Sequence, residues 1–180
     1  LDMTLNLSGI RSNTLSMLVP QFAGIANFDT SIDARAAGRL GSLGKIQHLE
    51  FAAKTGAGTL TLPHELPKPL EFERIEFAGD VRNAFDTVNI TEAKIDFGQP
   101  QLAFSVFSSR LGDNLRARLD AEVTGLQMSE LAQYWPEKLG SSAHAWTTTN
   151  IRSGKVKRGE LTLILDVPIT SPVEPNIRSM

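Results

Sequence analysis

The sequence predicts a mainly β protein: a curved antiparallel meander sheet, groove-like and taco-shaped in section, with a small helical element near residues 128–149. Two observations predict it. Most of the chain alternates apolar and polar residues with a period of two, and glycine-led turn signals recur too closely for repeated crossover helices. The clearest alternation is Leu115, Ala117, Leu119, Ala121 and Val123, interleaved with Arg116, Arg118, Asp120 and Glu122. Leu161, Leu163, Leu165 and Val167 repeat it around Thr162, Ile164 and Asp166.

In chain order, Leu1, Met3, Leu5 and Leu7 open a strand that is already under way at the first residue. Ser12 to Val19 predicts a short helix, with Ser12 or Asn13 as N-cap, Leu15, Leu18 and Val19 on one face, and Pro20 as its end. Phe28 to Ala36, Leu70 to Phe77 with a bulge, Val88 to Phe97 and Leu102 to Val106 read as further strands. Turns are expected at Gly41 with Gly44, Gly56 with Gly58, Gly79-Asp80, Gly98 before Pro100, Gly112-Asp113, and Gly154 with Gly159. Lys54 to Leu62, Lys94 to Phe104 and Lys155 to Leu165 resemble one another as a loose repeat of hairpin units with no fixed period.

Two helical stretches interrupt the strands. The first starts at Ser129 as N-cap and runs through Leu131, Ala132, Tyr134 and Trp135 until Pro136 stops it. The second, from about Ser142 to Thr148, is expected to bring Ala145 and Trp146 onto the sheet. The organisation read from these signals is a meander over 1–125 with its short helix near 12–19, a helical cap over 126–152, returning strands over 153–168, and a linker over 169–180 containing Pro172 and Pro175. A first residue that is not Met and that proline-bearing tail lead us to expect a fragment of a longer chain.

Composition narrows the function. A formal charge of −2 and a pI near 5.9 leave no basic excess to neutralise a phosphate backbone, so nucleic acid is not an expected partner. With no cysteine, disulfides, thiol catalysis and thiolate metal sites are all excluded. No run of about 18 apolar residues and no signal-peptide pattern occurs in this stretch.

No constellation for catalysis emerges. Asp29, Asp33, Glu50, Glu73, Glu76, Asp96 and Asp120 are dispersed over strand faces and turns, where solvated polar surface explains them better than a glycosidase pair does. His48, His64 and His144 lack the i, i+4 spacing of a helical zinc pair. Gly-x-Ser-x-Gly is absent, and the Gly41–Gly44 and Gly56–Gly58 pairs do not open a helix after a strand, so they read as turns and not phosphate loops. Lys155, Lys157 and Arg158 read as a solvated strand face. We therefore expect no enzyme, cofactor or metal. The aliphatic faces remain: each large side chain gains roughly 1.5–3 kcal/mol on full burial, so something must cover them. A second sheet in a closed sandwich, or a partner or acyl chain on an open sheet, demands the same alternation.

Residues 131 to 156 also carry a likeness. Leu131-Ala132-Gln133-Tyr134-Trp135-Pro136, then Ala143-His144-Ala145-Trp146, Asn150-Ile151 and Gly154-Lys155-Val156 resemble the Tyr-Trp-Pro signature of the AsmA-like superfamily, and within it the YhdP-type branch of large bacterial envelope proteins. Ser8-Gly9-Ile10, Leu18-Val19-Pro20 and Thr55 to Pro63 agree with that family upstream. One departure is His144, where the family pattern often has Arg; an imidazole only partly replaces a guanidinium in pairing.

The resemblance implies a non-enzymatic role in the Gram-negative envelope: a periplasmic segment of a protein anchored in the inner membrane, conducting phospholipid between inner and outer membranes along an apolar β-groove. The implied partners are phospholipid acyl chains, further segments of the same chain and other envelope proteins. Leu115, Leu119, Val123, Leu161, Leu163 and Leu165 are the expected groove lining; Tyr134, Trp135, Pro136, Trp146 and Gly154 form the structural signature, with Trp135 and Trp146 holding the helices on the sheet. The alternative is a self-covered β-sandwich that acts as an envelope spacer or protein-docking module without lipid.

Overall fold

The alternating segments fold into an antiparallel meander. The computed structural model describes residues 1–18, 26–62, 66, 68–136, 140–168 and 176–179. Its elements are β1 (Asp2–Arg11), α1 (Ser12–Leu18), β2 (Phe28–Asp29), β3 (Ser31–Leu40), β4 (Ile46–Thr55), β5 (Gly58–Leu60), β6 (Leu70–Phe72), β7 (Arg74–Arg82), β8 (Thr87–Asp96), β9 (Gln101–Leu111), β10 (Asn114–Gln127), α2 (Leu131–Tyr134), α3 (Ser141–Asn150), β11 (Lys155–Pro168) and β12 (Asn176–Ser179). Nine strands form one open sheet in the order β1-β3-β4-β7-β8-β9-β10-β11-β12, and β2-β5-β6 form a second, small one. Every neighbouring pair is antiparallel, as short connections require.

Register is maintained by bulges. Leu7 faces Ala34 and Ile10 faces Ile32, so β1 spends three residues where β3 spends two. The extra residue, at Ser8–Gly9, keeps Leu7 and Ile10 on the same side; Asp33 clasps it by accepting from the Gly9 N–H at 2.8 Å and the Ser8 hydroxyl at 3.0 Å. β8 does the same between Ile90, opposite Val106, and Ala93, opposite Phe104. Without these bulges, half of each strand would turn its apolar residues to the other face.

The small sheet exists because of packing. Leu60, Leu66, Leu70, Phe72 and Ile75 form a buried cluster against which Phe28, Leu62, Phe77, Ile95, Phe97 and Tyr134 pack. Phe28 and Phe72 meet edge to face at 6.2 Å between ring centroids. The stretch read as one bulged strand from Leu70 to Phe77 is divided at Glu73: Leu70–Phe72 joins the small sheet, and Arg74 onward joins the large one. Phe72 and Ile75, both buried on either side of that break, bind the two sheets together.

Other expectations also need correction. Gly79-Asp80 is no turn but lies inside β7, and Gly159 lies inside β11. The turn between β7 and β8 is Asn83–Asp86, where Asn83, Ala84 and Phe85 adopt φ of 52°, 54° and 72° without any glycine. The N–H groups of Asn83 and Ala84 donate to the carbonyls of Gln47 and Ile46 at 3.0 and 2.7 Å, which offsets the left-handed backbone. Of the three similar stretches, only Lys94 to Phe104 is a hairpin; Lys54 to Leu62 crosses between sheets, and Lys155 to Leu165 lies within β11. The tail expected as a linker contributes β12, paired with β11. Val19 and Pro20 of the first helix, and the prolines at 172 and 175, lie outside the described residues.

Candidate functional site

Because residues paired across antiparallel strands share a face, the register extends the alternation of single strands across the whole large sheet. In the β10–β11 hairpin Leu115 faces Val167, Ala117 faces Leu165, Leu119 faces Leu163, Ala121 faces Leu161 and Val123 faces Gly159. All six residues expected to line a groove therefore lie on one face. β9 adds Leu102, Phe104 and Val106 opposite Val123, Ala121 and Leu119. β8 adds Ile90, Ala93 and Ile95; β7 adds Ile75, Phe77 and Val81; β4 adds Leu49, Phe51 and Ala53. Ile32, Ala34 and Ala36 of β3, then Met3, Leu5 and Leu7 of β1, complete it. Reading the sequence strand by strand missed this extension, although each contributing strand carries its own alternation.

This face is partly covered. Ile32, Ile75, Val81, Ala93 and Leu163 are buried, whereas Leu5 and Leu161 are 46% and 44% exposed and the remaining members named above, Val167 aside, are half-buried. In a sealed sandwich such inward positions would be buried throughout. The cover that exists is local: the small sheet and α2 sit over the β7–β8 end, with the Tyr134 ring 5.2 Å from that of Phe97. Burial and the nearby Glu130 push the Tyr134 hydroxyl pKa upward.

The opposite face is ionic. Arg116 meets Asp166 at 2.8 Å, Arg118 meets Asp120 at 2.7 Å, Arg82 meets Asp80 at 2.7 Å, Lys94 meets Glu92 at 2.6 Å, and Arg158 meets Glu122 and Glu160 at 2.9 and 2.8 Å. Hydrogen bonding from Arg118, then Thr162, lowers the Asp120 pKa, and the Arg116 and Arg118 pKa values rise through their carboxylate partners. Exposed pairs of this kind add little stability each, but they keep this side of the sheet in water.

The carboxylates considered for catalysis distribute accordingly. Asp33, Glu50, Glu76, Asp96 and Asp120 lie on the ionic face, Asp29 sits in the small sheet, and Glu73 occupies the break between sheets. Among the described residues no group of three or more His, Asp or Glu is arranged to hold a metal ion, and no helix is long and apolar enough to cross a membrane. His48 approaches Glu50 at 3.9 Å, His144 stacks edge-on against Trp135, and His64 lies outside the described residues.

The helical signature differs from expectation at one point. Both helices form, α2 over Leu131–Tyr134 and α3 over Ser141–Asn150, but Ala145 is exposed and Trp146 is 63% exposed, so neither rests on the sheet. The anchor is Tyr134 on Phe97, with Leu131 buried beside it; Trp135 instead meets the His144 ring at 5.6 Å and 89°. α3 has no buried side chain, so its sequence offers no apolar stripe to set Trp146 inward. No protein-family model, no curated protein and no solved structure matches the chain.

Proposed function

We propose that the large sheet binds phospholipid acyl chains on its apolar face, as a periplasmic segment of an AsmA-like, YhdP-type envelope protein that conducts lipid between inner and outer membranes without catalysis. The observation that carries this reading is the division of one open sheet into a continuous aliphatic face, only partly covered, and an ion-paired face. A contiguous apolar surface of this extent is unfavourable in water and marks an interaction surface. Acyl chains suit it because the face offers Leu, Val, Ile, Phe and Ala with almost no hydrogen-bonding groups to specify a polar partner. The Tyr134-Trp135-Pro136 signature supplies the family context.

Native mass spectrometry of the purified chain after exposure to phosphatidylethanolamine and phosphatidylglycerol vesicles tests the reading. Bound lipid, released by organic extraction and diminished by Leu161→Asp, is the expected result; a folded chain that retains none overturns it.

A second reading has one observation in its favour. The small sheet already buries Ile75 beneath Leu60, Leu70 and Phe72, so part of the apolar face is covered by the chain itself. In that reading the module is a spacer or protein-docking unit. A polarity-sensitive dye that stays dark on the folded chain favours the spacer; bright emission quenched by added lipid favours the acyl-chain surface.

A further inference from the structure

We propose that α3 is a hinged flap whose Trp146 closes over an acyl chain at the helical end of the apolar face; this inference rests on the acyl-chain reading above. Four observations lead to it. First, α3 is weakly made. Its ten residues include Thr147, Thr148 and Thr149, its N-cap is Gly140 with no side-chain capping bond, and it buries no side chain. A helix of that length and composition is marginal unless something packs on it.

Second, a glycine flanks it on each side, Gly140 at its N-cap and Gly154 four residues past its last residue. Gly140 has φ of +66° and Gly154 has φ of +120°, backbone states that glycine reaches without the strain a Cβ imposes. A Cβ at Gly140 would meet nothing within 4 Å, so this pivot stands in open space. Third, the described residues flanking α3 on both sides, α2 and Gly154, are held at the same end of the sheet. The Gly154 carbonyl accepts from the Met128 N–H at 2.9 Å, just past β10, and α2 before Gly140 stands on Phe97 through Tyr134. The edge-on contact of His144 with Trp135 holds α3 to α2.

Fourth, the flap carries the most costly side chain to leave in water. Trp146 is 63% exposed, and an indole gains most where one edge is apolar and its N–H stays near polar groups. That boundary is where an acyl chain meets its headgroup. Swung about Gly140 and Gly154, Trp146 would cover an acyl chain at the Val123 end of the face, where β10 leads into the helices.

The chain contains only two tryptophans, so Trp135→Phe leaves Trp146 as the sole indole, excited selectively over Tyr134, while preserving an aromatic ring against His144. Dibromostearate, whose bromines quench indole on contact, is added, and its retention is followed by native mass spectrometry. The expected result is loss of most Trp146 emission with dibromostearate and none with plain stearate. Retained dibromostearate with undimmed emission overturns the flap and leaves the acyl-chain reading standing; no retention overturns both. Should Trp135→Phe fail to fold, the difference emission between the unaltered chain and Trp146→Phe reports the same residue.

Discussion

The ring of Phe51 lies directly over Gly79 on the neighbouring strand. A Cβ at Gly79 would come within 3.0 Å of the Phe51 Cζ and of the Ile90 Cα, and closer still to the Asn89 carbonyl. Backbone atoms cannot retreat from such a clash as a flexible side-chain end would. Gly79→Ala is therefore expected to destabilise the fold by about 1–3 kcal/mol through overpacking, seen as a lower urea midpoint at unchanged slope. An unchanged midpoint would mean that β7 and β8 separate at little cost.

Leu161 and Leu163, two residues apart on the same face, should part company. Leu163 is 8% exposed and faces Leu119, so Leu163→Ala is expected to cost about 2–5 kcal/mol. Leu161 is 44% exposed, and Leu161→Ala should change stability by less than about 1 kcal/mol while weakening acyl-chain retention. Denaturation and native mass spectrometry on the same two variants separate core from contact surface.

The aromatic residues of the signature should differ in the same way. Tyr134→Ala removes the ring packed on Phe97 and is expected to cost about 1.5–3 kcal/mol. Trp146→Ala should stay within about 0.5 kcal/mol, since its ring stands in solvent. Thermal unfolding of both variants checks the contrast.

Acid should weaken the fold through three aspartates. Asp33, bonded first by the Gly9 N–H and then by Ser8, Asp80 by Asn89 and Arg82, and Asp120 by Arg118 and Thr162 all titrate below the usual 3.8. Unfolded carboxylates bind protons first, so the stability these groups supply is complete above the unfolded value and is lost as pH falls through the lowered folded ones. Asp80, whose side chain is 13% exposed, is the most enclosed of the three. Asp80→Asn should shallow the fall of Tm below about pH 3.8; an acid limb parallel to the unaltered chain would remove Asp80 from this account.

The strands with strict alternation, above all Leu115 to Val123 and Leu161 to Val167, were legible in sequence because period two reports a sheet face directly. Three kinds of feature were not. Gly79 and Gly159 serve close packing and not turns, a distinction made by Phe51 and Val123 on neighbouring strands. The Asn83–Asp86 turn has no glycine, since hydrogen bonds to Gln47 and Ile46 hold its left-handed residues. β2 and β5 are two and three residues long, too short for a period to register, and they owe their place to the Phe28–Phe72 cluster. That the six proposed lining residues share one face was recoverable, but the full face was not, because register between strands is absent from any one strand.

The bulge in β8 makes this sheet behave like a message with a reading frame. Unbroken alternation along β8 would turn Val88 and Ile90 outward while Ala93 and Ile95 stayed inward; the bulge takes up that one-residue slip, so deleting Thr91 is expected to leave all four inward in strict pairing. An insertion or deletion of a single residue elsewhere in these strands is thus the equivalent of a frameshift, whereas the bulges at Ser8–Gly9 and in β8 each absorb one extra residue and keep the apolar words on both sides in phase.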